Sequence, residues 1–279
     1  MNLELPFFSY GFFRPGEISF LGIRDYVHTV KSKTIDGDLV LRDGITLFRD
    51  SDRHSVDGYL IDFLPGCSSL AYEFVDSLEP KKLFKWREMK VNGSFFNILV
   101  GVKPDKGSDD IRETGWKSIW EDPFFTSAID VLDEMPYESF DFNLKPLFKL
   151  QMKYMLLWTI IERFTFLRYS FGGTPSYRNK QLANSTFFKE ALKKYCHENR
   201  TIYRTDDPDV KTELNPDNPE KSLQYYYQVR SNITHRGKAV SRDYATVERS
   251  FNELFEITKY VLNMTKEECL NVKSTFLTS

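Results

Sequence analysis

The chain of 279 residues is 41% hydrophobic and 28% charged, enough apolar material for packed cores in about two domains of ordinary size and too much for a disordered segment. Its net charge of -2 excludes a constitutive nucleic-acid coat protein, which would be strongly basic, but leaves room for a nuclease with a locally positive cleft. The three cysteines, Cys67, Cys196 and Cys269, lie too far apart for a disulfide framework or a zinc spacing, which points to reduced thiols and a cytoplasmic setting.

The first hundred residues read as strands and turns. Leu5 to Ser9 is a short apolar run that ends at Tyr10-Gly11. Leu39 to Leu41 and Ile45 to Phe48 flank Arg42-Asp43-Gly44, and Trp86 to Val91 and Phe95 to Val102 flank Asn92-Gly93, so each pair predicts a hairpin. Val56 to Phe63 is a further strand, closed by the turn signal Pro65-Gly66. Between them Ser68 to Glu79 predicts a helix with Leu70, Phe74, Val75 and Leu78 on one face, Ser68 or Ser69 as its cap and Pro80 as its stop.

The polar run Lys103 to Asp110 reads as a linker, and Pro123 to Glu134 as a helix. From Leu144 onward the pattern is helical throughout. Leu147 to Tyr169 is a long apolar helix; Tyr154 to Ile161 is its most apolar part, too short to span a bilayer, and no membrane association is expected. Further helices are predicted from about Asn184 to Cys196, Glu220 to Arg236 and Tyr244 to Met264, the last with Val247, Phe251, Leu254, Phe255, Val261 and Leu262 in one stripe. The acidic, Pro-rich segment Thr205 to Asn218 reads as an exposed loop. These divisions give an α+β chain of two domains: residues 1–104, a connector over 105–143, and an all-α domain over 144–279. The opening Met1-Asn2-Leu3-Glu4-Leu5-Pro6 has neither the basic start nor the apolar run of a secretory signal.

The third of these helices carries the densest chemistry. Only four His occur in the chain, and one of them, His235, stands five positions after Arg230 and just before Arg236-Gly237-Lys238. A titratable imidazole among permanent cations suits acid–base chemistry on a phosphate. On an ideal helix, five residues turn the chain through about 500°, so Arg230 and His235 lie about 140° apart around the axis. A two-fold dimer could bring partners for each from the other subunit. Such a site could cleave RNA by attack of a 2′-hydroxyl on the adjacent phosphate, with His235 as base or acid. Arg230, Arg236 and Lys238 would hold phosphate oxygens, and Asn232 or Ser231 would orient the imidazole. No metal-ligand cluster and no cofactor motif is visible. A His at a helix end can equally serve as a cap for the last carbonyls.

Arg230-Ser231-Asn232-Ile233-Thr234-His235-Arg236-Gly237-Lys238 resembles the Arg-x4-6-His signature of HEPN domains, near the end of a penultimate helix and followed by an amphipathic one. Leu156 to Phe164 resembles the family's first long helix, whose acidic residue often faces the active site; Glu162 is its match. The resemblance covers about Leu144 to Leu262 and implies a dimeric helical bundle that cleaves RNA, either tRNA or mRNA, without metal. It also implies the setting of a toxin or phage-defence effector. Some family members only dimerise, and Ser231 stands where catalytic members often carry Asn, Asp or His.

Near the N-terminus, Ser9-Tyr10-Gly11-Phe12-Phe13-Arg14-Pro15-Gly16 resembles the ligand loop of γ-glutamylcyclotransferase-like domains, a small mixed β-barrel with flanking helices. Val56 to Asp62, Val75 to Glu79, Trp86-Arg87 and Asn97 to Gly101 extend the likeness over about Leu3 to Val102. It implies that Tyr10, Gly11, Phe12, Phe13 and Arg14 bind a small γ-glutamyl or carboxylate ligand. Glu79 would be the base that takes a proton from the substrate amine and so allows release of 5-oxoproline. Phe12 and Phe13 replace smaller residues of that loop, which makes a bulkier and more apolar pocket. The expectation is an RNA-cleaving homodimer with a sensor domain; the alternatives are a cyclotransferase with a dimerising tail and a non-catalytic binding protein.

Overall fold

Strands dominate the first hundred residues and helices most of the remainder, as the patterning requires. In chain order the elements are β1 (Phe7–Ser9), β2 (Val27–Asp36), β3 (Asp38–Arg42), β4 (Ile45–Arg49), β5 (Ser55–Phe63), α1 (Ser68–Leu78), β6 (Phe84–Val91), β7 (Ser94–Gly101) and β8 (Asp109–Asp110). Then follow α2 (Ser127–Glu134), α3 (Leu144–Tyr169), α4 (Pro175–Asn184), α5 (Thr186–Tyr195), β9 (Arg200–Tyr203), β10 (Lys211–Leu214), α6 (Pro219–Arg236) and α7 (Ser241–Leu277). The structure, a computed structural model, describes residues 1–42, 45–79, 81–91, 93–106, 109–110, 118–135, 144–169, 173–236 and 241–277, without the side chains of residues 109–110, 235–236 and 241–242. Among the described residues no helix is long and apolar enough to cross a membrane.

The chain divides into two compact units. The first comprises Met1–Glu121, Leu167–Gly172 and Lys266–Ser279; the second comprises Asp122–Phe166 and Gly173–Thr265. In the first unit β2-β5-β1-β7-β6 form a mixed sheet in which β1 runs parallel to β7 and antiparallel to β5. A strand in this central place is buried on both faces, which explains why it is an unbroken apolar run. Phe7 points into a cluster with Phe13, Phe20, Tyr72, Val75 and Leu78, whereas Phe8 points into another with Ile35, Phe48, Phe96 and Ile98. A second sheet has the order β4-β3-β8.

Several expectations need correction here. The ten-residue strand β2 is not signalled by the apolar pattern, because it includes only three aliphatic residues and its β-branched Thr residues carry the strand tendency. Helix α1 is capped by Cys67, with no side-chain hydrogen bond from either serine, and Leu70 is exposed while Ala71 and Tyr72 are buried. The helix expected from Pro123 begins at Ser127, after a turn.

In the second unit the helix expected from about Asn184 to Cys196 is α5, and α4 is a further helix just before it that the apolar spacing does not signal. The Thr174 and Ser185 hydroxyls cap their starts, accepting from the N–H groups of Tyr177 and Phe188. The loop expected over Thr205 to Asn218 is in part a ribbon: β9 and β10 pair antiparallel from Arg200↔Leu214 to Tyr203↔Lys211. The region after Leu144 is therefore helical but not all-α. Its stripe of Val247, Phe251, Leu254, Phe255, Val261 and Leu262 is buried as the periodicity predicts, and α7 continues to Leu277.

Candidate functional site

In the first unit β1 delivers Tyr10 to the core. Its hydroxyl donates to the Leu99 carbonyl at 2.9 Å and accepts the Phe48 N–H at 3.2 Å, so it is a strut between strands. Burial, and next the nearby charge of Glu79, push the Tyr10 phenol well above its usual range. Glu79 itself caps the C-terminus of α1, where its N–H donates to the Val75 carbonyl. The carboxyl is half-buried and has no side-chain hydrogen bond or ion pair among the described residues. Loss of hydration pushes it up to about 8. Lys81, a partner that would have quenched it, lies instead 3.6 Å from Asp76.

The loop after Tyr10 has two kinds of residue. Phe13 is a core residue, edge-on to Phe7 and Phe74. Gly11, Phe12 and Arg14 are half-buried, and a side chain at Gly11 would meet open space. The Arg14 guanidinium lies 5.6 Å from the Tyr59 ring centre.

In the second unit α3 and α6 bring Glu162 and Arg230 together, with Oε1 and Nη2 3.4 Å apart. Arg163, next to Glu162 in sequence, pairs with Asp122 at 2.9 Å, which leaves Glu162 to Arg230. The Arg230 guanidinium also lies 5.6 Å from the centre of the Tyr227 ring, and that ring is edge-on to Trp158 at 5.5 Å. Its Nε is buried with no hydrogen-bond partner among the described residues. A guanidinium held on one nitrogen by Glu162 and braced by an aromatic ring thus keeps a donor for an oxyanion.

No family model, curated protein or solved structure matches the chain.

The other residues singled out from sequence fall into three groups. Asn232 is buried and engaged: its Oδ1 accepts from the Thr205 N–H at 3.2 Å and from Gln228 Nε2 at 2.8 Å, and its Nδ2 donates to the Tyr203 carbonyl at 2.9 Å. It ties the β9–β10 ribbon to α6. Ser231 is half-buried, and its carbonyl, like that of Arg230, accepts from the Thr234 hydroxyl. The side chains of His235 and Arg236, and all of Lys238, lie outside the described residues. Helix α6 continues through Arg236, so positions 230 and 235 remain about 140° apart around its axis.

Sequence reasoning missed Tyr227, Trp158 and the cleft beside them. Between α4 and α6 lies a cavity of about 320 Å³ lined by Asn179, Glu220, Leu223, Gln224 and Tyr227 among others. Its signal in the sequence was the spacing of 220, 223, 224 and 227 along one face of α6; the missing wall, α4, hid it. Among the described residues, no group of three His, Cys, Asp or Glu could hold a metal ion.

Proposed function

We propose that the helical unit is a HEPN-type endoribonuclease that cleaves RNA by attack of a 2′-hydroxyl on the adjacent phosphate. The observation that carries the reading is the Arg230 guanidinium, fixed by Glu162 and Tyr227 with its buried Nε unpartnered. That donor set suits the charge that develops on a pentacoordinate phosphate. The 2′-oxygen forms the new bond to phosphorus as a base takes its proton, and the 5′-oxygen leaves with a proton from an acid. Products are a 2′,3′-cyclic phosphate and a 5′-hydroxyl. His235 is the acid or base, Glu162 positions Arg230, Ser231 neighbours the phosphate, and Arg236 and Lys238 bind the strand. Asn232 acts through the ribbon it anchors. A homodimer supplies the second His235 and Arg230 to a shared groove. The protein, purified and treated with a chelator, is incubated with tRNA and mRNA. Wild type is expected to leave 2′,3′-cyclic ends, and His235→Ala is expected to leave none; equal behaviour of the two overturns the reading.

A second reading concerns the first unit, proposed as a γ-glutamylcyclotransferase-like domain with Glu79 as base and the open side of Gly11, Phe12 and Arg14 as ligand contacts. It is favoured by a carboxyl titrating near 8 with no paired cation. At neutral pH such a group is mostly protonated and can exchange a proton with a bound amine. Release of 5-oxoproline from γ-glutamyl amines, lost in Glu79→Gln, tests it. As a sensor, the same domain would bind the ligand without turnover.

A further inference from the structure

We infer that the cavity between α4 and α6 is a nucleobase pocket, and that it sets which base flanks the cleaved phosphate. The inference rests on the RNA-cleavage reading of Arg230 and deepens it. Helix α6 presents Glu220, Leu223, Gln224 and Tyr227 to the cavity at spacings of three, one and three residues, and Arg230 follows three residues later on the same face. Arg230 is thus about 4.5 Å further along the axis than Tyr227, and its guanidinium already touches that ring. A nucleotide whose phosphate meets Arg230 would place its base against Tyr227.

The lining has the chemistry for such an occupant. The Tyr227 ring is partly exposed and held edge-on by Trp158, which makes it a stacking platform of fixed tilt. Leu223 is buried and offers an apolar floor. The amides of Asn179, on α4, and Gln224, on α6, face the cavity, and neither has a hydrogen-bond partner among the described residues. Each amide offers a donor and an acceptor, the pairing that reads base edges. Glu220 Oε1 accepts from Asn184 Nδ2 at 2.7 Å and lies 3.8 Å from Lys180, while its second oxygen remains available to an exocyclic amine. Together with the Asn179 and Gln224 amides, that oxygen selects a base that carries an exocyclic amine and so disfavours uracil, which has none. The volume, about 320 Å³, sits at the lower end of the range for small-ligand sites of roughly 300–1,000 Å³.

The experiment uses the full chain, with a single-stranded RNA pool randomised over a short window, in chelator, followed by sequencing of the cleaved ends. Wild type is expected to disfavour uracil at one position beside the cut. Asn179→Ala and Gln224→Ala are each expected to flatten that preference about tenfold, the discrimination of one good base contact. Both side chains lie at the surface or half-exposed, and a circular-dichroism spectrum equal to wild type confirms folding. Tyr227→Phe, which keeps the ring, is expected to keep the preference. Cleavage with a base preference unchanged in both amide variants overturns the pocket and leaves the nuclease reading intact. If wild type cleaves nothing, the nuclease reading falls and the pocket is judged by fluorescence anisotropy of labelled oligonucleotides on the same variants. A drop in affinity for the amine-bearing homopolymers then supports it, and equal affinities overturn it.

Discussion

Glu79→Gln isolates the most perturbed carboxyl of the first unit. Between pH 4.5, the ordinary value, and about 8, the folded value, the unfolded chain has released the proton that the folded chain still holds. Stability therefore falls as pH rises across this window, and below it both states are protonated and the cost vanishes. The full shift corresponds to about 5 kcal/mol once Glu79 is ionised. The carboxyl is only half-buried, so water offsets part of this and about 2 kcal/mol is expected near pH 8. The negative end of α1 acts in the same direction. Glutamine has the same shape and does not titrate. The assay is urea unfolding of wild type and variant at pH 5, 6.5 and 8, followed by tryptophan fluorescence. The difference between the two proteins is expected to be near zero at pH 5 and to reach about 2 kcal/mol in favour of the variant at pH 8. Parallel curves for the two proteins at all three pH values would refute the claim that Glu79 is held half-buried without a compensating cation.

Three further outcomes follow from the same packing. Asn232→Ala removes two hydrogen bonds from α6 to the ribbon and the residue after it by two, and one within α6, and a loss of about 2 kcal/mol in urea unfolding is expected, since the freed Tyr203 carbonyl can regain water; a cost under about 0.5 kcal/mol would deny it a structural role. Arg230→Ala breaks an ion pair whose Glu162 side is 45% exposed, so stability should change by less than about 1 kcal/mol while RNA cleavage falls by about 10²-fold or more; equal losses in a melting and a cleavage assay would make Arg230 merely structural. Gly58→Ala drives a Cβ to 2.6 Å from the Ser9 carbonyl and 2.5 Å from the Phe8 ring, so about 1–3 kcal/mol of destabilisation is expected by thermal melting.

Legibility in the sequence followed burial. The periodic helices α6 and α7, and the apolar runs β1 and β7, announced themselves because one or both faces are packed. Edge and surface elements did not: β2 is largely polar, and β9 and β10 have four residues each and, among the described residues, pair only with one another. Arg230 and Glu162 were singled out by spacing and family likeness, and the structure brings them to 3.4 Å. The engagement of Asn232 could not be read, since its partners Tyr203 and Thr205 lie across a ribbon that the sequence presented as loop. The strut made by the Tyr10 hydroxyl is not legible either, since its partners Leu99 and Phe48 lie on strands distant in sequence.

The ribbon gives the candidate site its rigidity. Arg200 of β9 makes a bidentate pair with Glu253 of α7, and the Tyr226 hydroxyl of α6 donates to the same carboxylate at 3.0 Å. Tyr154 of α3 donates to the Tyr226 carbonyl at 2.9 Å. Asn232 closes the remaining side of α6 onto β9 and the residue that follows it by two. The helix that carries Arg230 is therefore fixed to α3, to α7 and to the ribbon through polar contacts that are specific in direction, whereas apolar packing alone would allow it to slide or roll. A phosphate-binding guanidinium gains most when it is oriented before the ligand arrives, because the ordering cost has already been met in folding. The half-buried Arg200–Glu253 pair contributes little net stability once its desolvation is counted. Its place between Tyr226 and the ribbon explains it better as an orienting device for α6.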